Sequence, residues 1–146
     1  MSKHVFIINV DRCIGCHACS LACRLATYQE GKDSFCSVLE LNSEKEKRTI
    51  WLPYVCLQVG DKACGPEDEV PPCVKACPVS ALIYGDSERK EIKEYIENGK
   101  AVRMPYIGDY PRTYYMGKMP DDVAKELPDP RNVIPKKYMP LTKLPP

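Results

Sequence analysis

At 146 residues the chain has room for one domain with a modest core and an extension. A formal net charge of +1 leaves no basic surplus of the kind that binds nucleic acid, and no stretch approaches the ~20 apolar residues of a membrane span. Nine cysteines are too many for packing alone, and the odd number leaves one over in any disulfide scheme, so redox or metal chemistry is the first expectation.

The opening run MSKHVFIINVDRC lacks the apolar length of a signal peptide. That points to a reducing compartment, with the cytoplasm as default, where clustered cysteines are thiols or metal ligands. Export in folded form beside a signal-bearing partner would also suit the sequence. Val5-Phe6-Ile7-Ile8 is expected as a short buried strand ending at Asn9–Asp11, and Cys13 to Cys16 as a tight loop around Gly15. From His17 to about Glu30, apolar residues at 18, 21, 22, 25 and 26 follow a helical period, which Gly31-Lys32-Asp33 breaks. Val38 to Leu41 and Thr49 to Leu57 are strands rich in β-branched and aromatic residues, separated by the charged turn Ser43–Arg48. A loop of Gly, Pro and acids spans Gly60 to Pro72, and its run Glu67-Asp68-Glu69 suits a solvated loop better than a docking surface. Cys73 to Cys77 then forms one helical turn stopped by Pro78, and Ala81 to Tyr84 a further strand. Ser87 is expected to cap a polar helix running to Asn98 and ending at Gly99, with Ile92, Tyr95 and Ile96 as its one apolar stripe.

Beyond Gly99 the composition changes. Residues 1–99 hold 12 Lys and Arg against 15 Asp and Glu, whereas residues 100–146 hold 9 against 5. The second stretch also has 9 of the 14 prolines, 5 of the 9 tyrosines and no cysteine. Proline blocks ladder and helix hydrogen bonds, so no strand or helix is expected there beyond a turn around Asp121–Leu127. A disordered tail is one reading. For residues 100–120 the apolar area of Tyr106, Tyr110, Tyr114, Tyr115, Met116 and Met119 favours the other, an ordered extended arm lying on another subunit. For 128–146 the two stand level.

The cysteines fall into two groups. The first is Cys13-x2-Cys16-x2-Cys19-x3-Cys23, in which three thiolates on one loop can wrap three corners of a cubane cluster while the fourth points to another cluster. The second is Cys56-x7-Cys64-x8-Cys73-x3-Cys77-Pro78, which repeats the x3 spacing and ends on the customary proline. Crossing the two groups assigns Cys13, Cys16, Cys19 and Cys77 to cluster I, and Cys23, Cys56, Cys64 and Cys73 to cluster II, each a [4Fe–4S] cluster. Zinc is the main competitor. It prefers two separated Cys pairs in a tetrahedral site, and four cysteines within residues 13–23 suit a bulkier group. A disulfide scaffold is the other. Cys36 is the spare, read as a small buried hydrophobe; it could replace Cys56 or Cys64 if those two fail to converge. His17, between ligands, could hydrogen-bond a cluster sulphur but is expected to face solvent. Backbone N–H groups around Ile14, Gly15, Ala18 and Lys75 are expected to donate to sulphur. Such bonds, with burial and charge, place the potential somewhere between roughly −700 and +450 mV.

The run from Val10 to Cys23 resembles the opening of the iron–sulphur subunits of dimethyl sulfoxide reductase and its relatives. Pro71-Pro72-Cys73-Val74-Lys75-Ala76-Cys77-Pro78 with Ser80-Ala81-Leu82 is similar to their second motif, Thr49 to Cys56 to the strand leading into it, and Pro111 to Met116 to a short aromatic signature near their end. The likeness covers residues 4–86 and, more weakly, 100–117. It departs at two points. The family commonly has Cys-x2-Cys in the second group, where Leu57-Gln58-Val59 follows Cys56 here, and it usually carries a second pair of clusters, for which no cysteines are left.

The resemblance implies an α+β, bacterial-type two-[4Fe–4S] ferredoxin-like fold with a long extended C-terminal arm. Residues 1–99 would form the dicluster domain and 100–146 a Pro/Tyr-rich, partner-binding extension. It further implies a non-catalytic electron-transfer subunit serving a large molybdenum or tungsten pterin oxidoreductase subunit, with a further electron carrier as a possible second partner. Similar small subunits accompany tungsten enzymes of the aldehyde:ferredoxin oxidoreductase type. No acid–base pair, nucleophile or phosphate loop is recognisable that would make this chain catalytic by itself. A freely diffusing ferredoxin-type carrier and a redox-sensing structural module are the competing functions.

Overall fold

The computed structural model describes residues 4–27, 36–55, 68–103 and 113–128. Cys56, Cys64, the helix break at 31–33, Tyr106, Tyr110 and the segment 129–146 lie outside them. Among the described residues no helix is long and apolar enough to cross a membrane.

Chain order runs β1 (His4–Asn9), α1 (Ala18–Thr27), β2 (Ser37–Ser43), β3 (Arg48–Tyr54), α2 (Pro72–Ala76), β4 (Leu82–Asp86), α3 (Lys90–Glu97), β5 (Val102–Arg103), β6 (Thr113–Met116) and α4 (Asp121–Ala124). The result is a small α+β fold. A four-stranded sheet has the order β4-β1-β6-β5, and β2 and β3 form a separate hairpin. β1 is paired on both edges. It runs antiparallel to β4 with Ile7 opposite Ile83, and parallel to β6 with Ile7 opposite Tyr114.

The run Val5-Phe6-Ile7-Ile8 is buried throughout because both faces of β1 are covered. Alternation along the strand sends Phe6 and Ile8 to one side and Val5 and Ile7 to the other. Val5 and Ile7 meet Ile92 of α3 and Ala101, with Tyr95 and Ile96 alongside. Phe6 and Ile8 meet a larger core containing Ile50, Leu52, Tyr54, Tyr84 and Tyr115, into which Cys19, Cys23, Cys36 and Cys73 are also buried. Each fully buried aliphatic or aromatic side chain contributes roughly 1.5–3 kcal/mol.

Three expectations need correction. The buried face of α1 is carried by Cys19 and Cys23, one helical turn apart, while Leu21 and Leu25 are 58% and 70% exposed. The apolar period identified the helix but not the face it buries. The polar helix α3 starts at Lys90 rather than behind a Ser87 cap. Asp86 organises that turn instead, its carboxylate accepting from the Glu88 N–H at 2.9 Å and its carbonyl from the Arg89 N–H at 3.0 Å.

The third correction concerns the chain beyond Gly99. Its described residues are neither free of strand nor separate from the first 99. β6 inserts beside β1 despite the flanking prolines, because none falls within Thr113–Met116, where the N–H groups are needed for the ladder. Its exit is tied down as well: the Val10 N–H donates to the Met116 carbonyl at 2.9 Å, and the Lys118 N–H to the Asp11 carboxylate at 2.9 Å. α4 then docks on the hairpin. The Asp122 carboxylate accepts from the Ser43 hydroxyl at 2.9 Å, and the Tyr54 hydroxyl donates to the Pro128 carbonyl at 2.7 Å.

Candidate metal centre

β1 delivers the chain directly into the first cysteine loop. The Asn9 side chain accepts from the Asp11 N–H at 3.0 Å, and its carbonyl accepts from Arg12 and Cys13 at 3.1 and 3.3 Å, which turns the backbone back on itself. Gly15 then takes φ +71° and His17 φ +63°. Gly15 has a second reason to be glycine: an added Cβ would lie 2.3 Å from Cδ2 of the Trp51 indole. α1 begins at Ala18 and carries Cys19 and Cys23 into the core. On the other side, Pro71 and Pro72 start the single turn of α2, which buries Cys73 and leaves Cys77 as its C-cap. Pro78 prevents continuation, and the chain passes through Ser80 at φ +53° into β4.

Cys13, Cys16, Cys19 and Cys77 line one pocket that opens to solvent. Val38, Pro53 and Leu82 supply much of its apolar wall. Three of these thiols come from one loop and helix start, and the fourth from the far side of the hairpin in sequence. Cys16 is exposed, Cys13 and Cys77 half-buried and Cys19 buried, so the group spans from the rim to the core. Among the described residues no three His, Cys, Asp or Glu side chains converge closely enough to hold a single ion. What the four thiols share is a space between them.

The electrostatics fit a cationic guest in that space. The Cys13 thiol is pushed up first by burial; the Gly15 N–H opposes this, but Cys19, Cys77 and Cys16 push further, as like charges do. A metal-containing group bound among these sulphurs would offset that repulsion at Cys13. Ready donors are present as well. The Ala81 N–H donates to Cys77 Sγ at 3.2 Å, a bond of the kind that tunes thiolate ligands. The Gly15 N–H is among the sulphur donors that the sequence suggests; Ala81 is not, since only the reversal at Ser80 brings it back over Cys77. Soft donors, apolar walls and N–H groups aimed at sulphur together suit an iron–sulphur cluster.

Cys23 and Cys73 belong to the same buried core as Cys36, whereas Cys56 and Cys64 lie outside the described residues. No disulfide joins the seven described cysteines. Cys36 is buried, as expected of a spare, but it does more than fill space. Its thiol donates to Cys19 Sγ at a separation of 3.6 Å. That hydrogen bond is the first cause lowering Cys19 to about 7, and the first cause, ahead of burial, holding Cys36 well above the usual thiol range. His17 is exposed, with its ring edge-on to Trp51 at 6.4 Å. Trp51 had no signal in the sequence, because a lone tryptophan in a strand more often packs a core than covers a loop.

No protein-family model matches the chain. It is similar to a subunit of the sulfite dehydrogenase of Allochromatium vinosum, with 28% identity over 116 residues covering 77% of this chain and 43% of that protein. It is also similar to the iron–sulfur cluster-binding subunit of menaquinone reductase of Nitratidesulfovibrio vulgaris, with 33% identity over 91 residues covering 54% of this chain and 32% of that protein. The chain thus spans less than half the length of these curated relatives. Both are subunits of redox enzymes.

Proposed function

We propose that this protein is an electron-transfer subunit with two [4Fe–4S] clusters, relaying electrons to or from a larger catalytic oxidoreductase subunit. The observation that carries the reading is the cavity ringed by Cys13, Cys16, Cys19 and Cys77, the set that the x2 and x3 spacings single out. These four would hold cluster I, and Cys23, Cys56, Cys64 and Cys73 cluster II. Each cluster, when bound, accepts and releases one electron. The chain's own residues hold the clusters, insulate them and space them. Cys19 and Cys23 sit one turn apart on α1, about 6 Å along its axis, so one rigid helix fixes the separation of the two sites. The core side chains keep water from the inner site, while exposed Cys16 marks the edge through which electrons would enter or leave.

The relatives, redox-enzyme subunits both, support a catalytic partner. The motif likeness to dimethyl sulfoxide reductase-type subunits makes a molybdenum or tungsten pterin enzyme the preferred one, with the complex in the cytoplasm and the Pro/Tyr-rich extension contributing to its interface. Iron and sulphide analysis of anaerobically purified protein tests the cluster reading, with about eight of each per chain expected from two four-iron clusters. Copurification of a much larger protein from the native source tests the subunit reading.

One observation favours a second reading, the freely diffusing carrier. Part of the extension that a partner would hold is used internally, as β6 beside β1 and α4 on the hairpin. Recovery of the untagged native protein as a monomer would favour that alternative.

A further inference from the structure

Cys36 stands at the head of β2, 2% exposed, with its thiol 3.6 Å from Cys19 Sγ. The contact is built from both sides. Ser20, the neighbour of Cys19 on α1, donates its hydroxyl to the Cys36 carbonyl at 2.9 Å, so the turn that presents Cys19 also clamps the backbone of Cys36. The separation and orientation are those of an S–H···S hydrogen bond in which the Cys36 thiol is the donor. Sulphurs bound to different irons of one cubane are spread across it rather than in contact. The geometry is therefore that of a donor beside a ligand, not of a second ligand to the same cluster.

We infer that Cys36 is a positioning residue of the first cluster site: its thiol donates a hydrogen bond to the Cys19 sulphur and thereby raises the reduction potential of the cluster held by Cys13, Cys16, Cys19 and Cys77. This rests on the cluster reading given above. The added electron of the reduced state increases negative charge on the ligand sulphurs, and a donor aimed at one of them stabilises that state more than the oxidised one. The proton stays on Cys36 throughout, and Cys36 neither gains nor loses electrons.

The test compares the full-length wild type with Cys36→Ala, Cys36→Val and Cys36→Ser, all purified anaerobically. Iron and sulphide content is measured first, then each cluster's potential by dithionite titration followed by electron paramagnetic resonance. Undiminished iron is expected in all variants, with a downward shift of one of the two potentials in both Ala and Val and a potential near wild type in Ser, whose hydroxyl can still donate. Loss of about half the iron in all three variants would overturn it by making Cys36 a ligand. Potentials unchanged in Ala and Val would reduce the residue to packing, and a Ser variant shifted as far as Ala would remove the hydrogen bond from the account. A wild type without iron would instead bring down the cluster reading itself, and this inference with it.

Discussion

The indole of Trp51 packs so closely on Gly15 that the glycine has no room for a side chain. A strand of the hairpin therefore covers the loop that carries Cys13 and Cys16, and the hairpin becomes part of the site's wall. Gly15→Ala combines this clash with a left-handed backbone at φ +71°. The expected cost is about 1–3 kcal/mol, with loss of iron from one cluster; a melting curve beside an iron assay checks both. Trp51→Phe, which shortens the cover without removing it, should leave iron content intact and make the clusters lose absorbance faster in air.

Cys16 and Cys77 are far apart in sequence yet line the same cavity. Cys16→Ser and Cys77→Ser should thus produce the same paramagnetic spectrum, that of the surviving second cluster, with about four irons retained. Cys73→Ser should give the complementary spectrum. If the Cys77 and Cys73 variants resembled each other instead, the crossed assignment would be wrong.

Tyr115 of β6 is buried in the same core as the cysteines, only 9% exposed. Tyr115→Ala is expected to destabilise the protein by roughly 3 kcal/mol, as truncation of a buried aromatic does. Truncation after residue 100 should remove β6 from the edge of β1 and lower stability more than the single substitution. Urea unfolding of the cluster-loaded protein measures both, and an unchanged midpoint in the truncated chain would show that the sheet does not need its third strand.

Asp122 links α4 to the hairpin, accepting from the Ser43 hydroxyl and from the Lys45 N–H at 3.3 Å. Desolvation is the largest single influence and acts to raise this carboxyl, but the Ser43 hydroxyl and the N–H groups of Lys45, Asp122 and Val123 together outweigh it and hold it below the ordinary value. A group depressed in the folded state stabilises above its unfolded pKa, and that contribution disappears as pH falls through the folded value. The melting-temperature gap between wild type and Asp122→Asn should consequently be present near neutrality and close as the pH drops through roughly 4 and below.

The short-range features of this protein were legible in its residues alone. Thiols three positions apart share a loop, and thiols four positions apart lie one helical turn from each other, so the ligand candidates of residues 13–23 and 73–77 are written in the spacing. The run Val5-Phe6-Ile7-Ile8 reads as a short buried strand, and Ile92, Tyr95 and Ile96 as the apolar stripe of α3, of which the structure fully buries Ile92. Which face α1 buries was not legible, because cysteine and leucine compete for the same core and the sulphurs win where the sites are. The insertion of β6, the cover of Trp51 over Gly15, the return of the Ala81 N–H onto Cys77 and the touch of Cys36 on Cys19 were decided by tertiary structure alone. Three of these join segments well separated along the chain, and the fourth depends on a left-handed turn at Ser80 that no glycine announces. Local chemistry sets what a residue can bind, but only the closing of the whole chain decides what stands beside it.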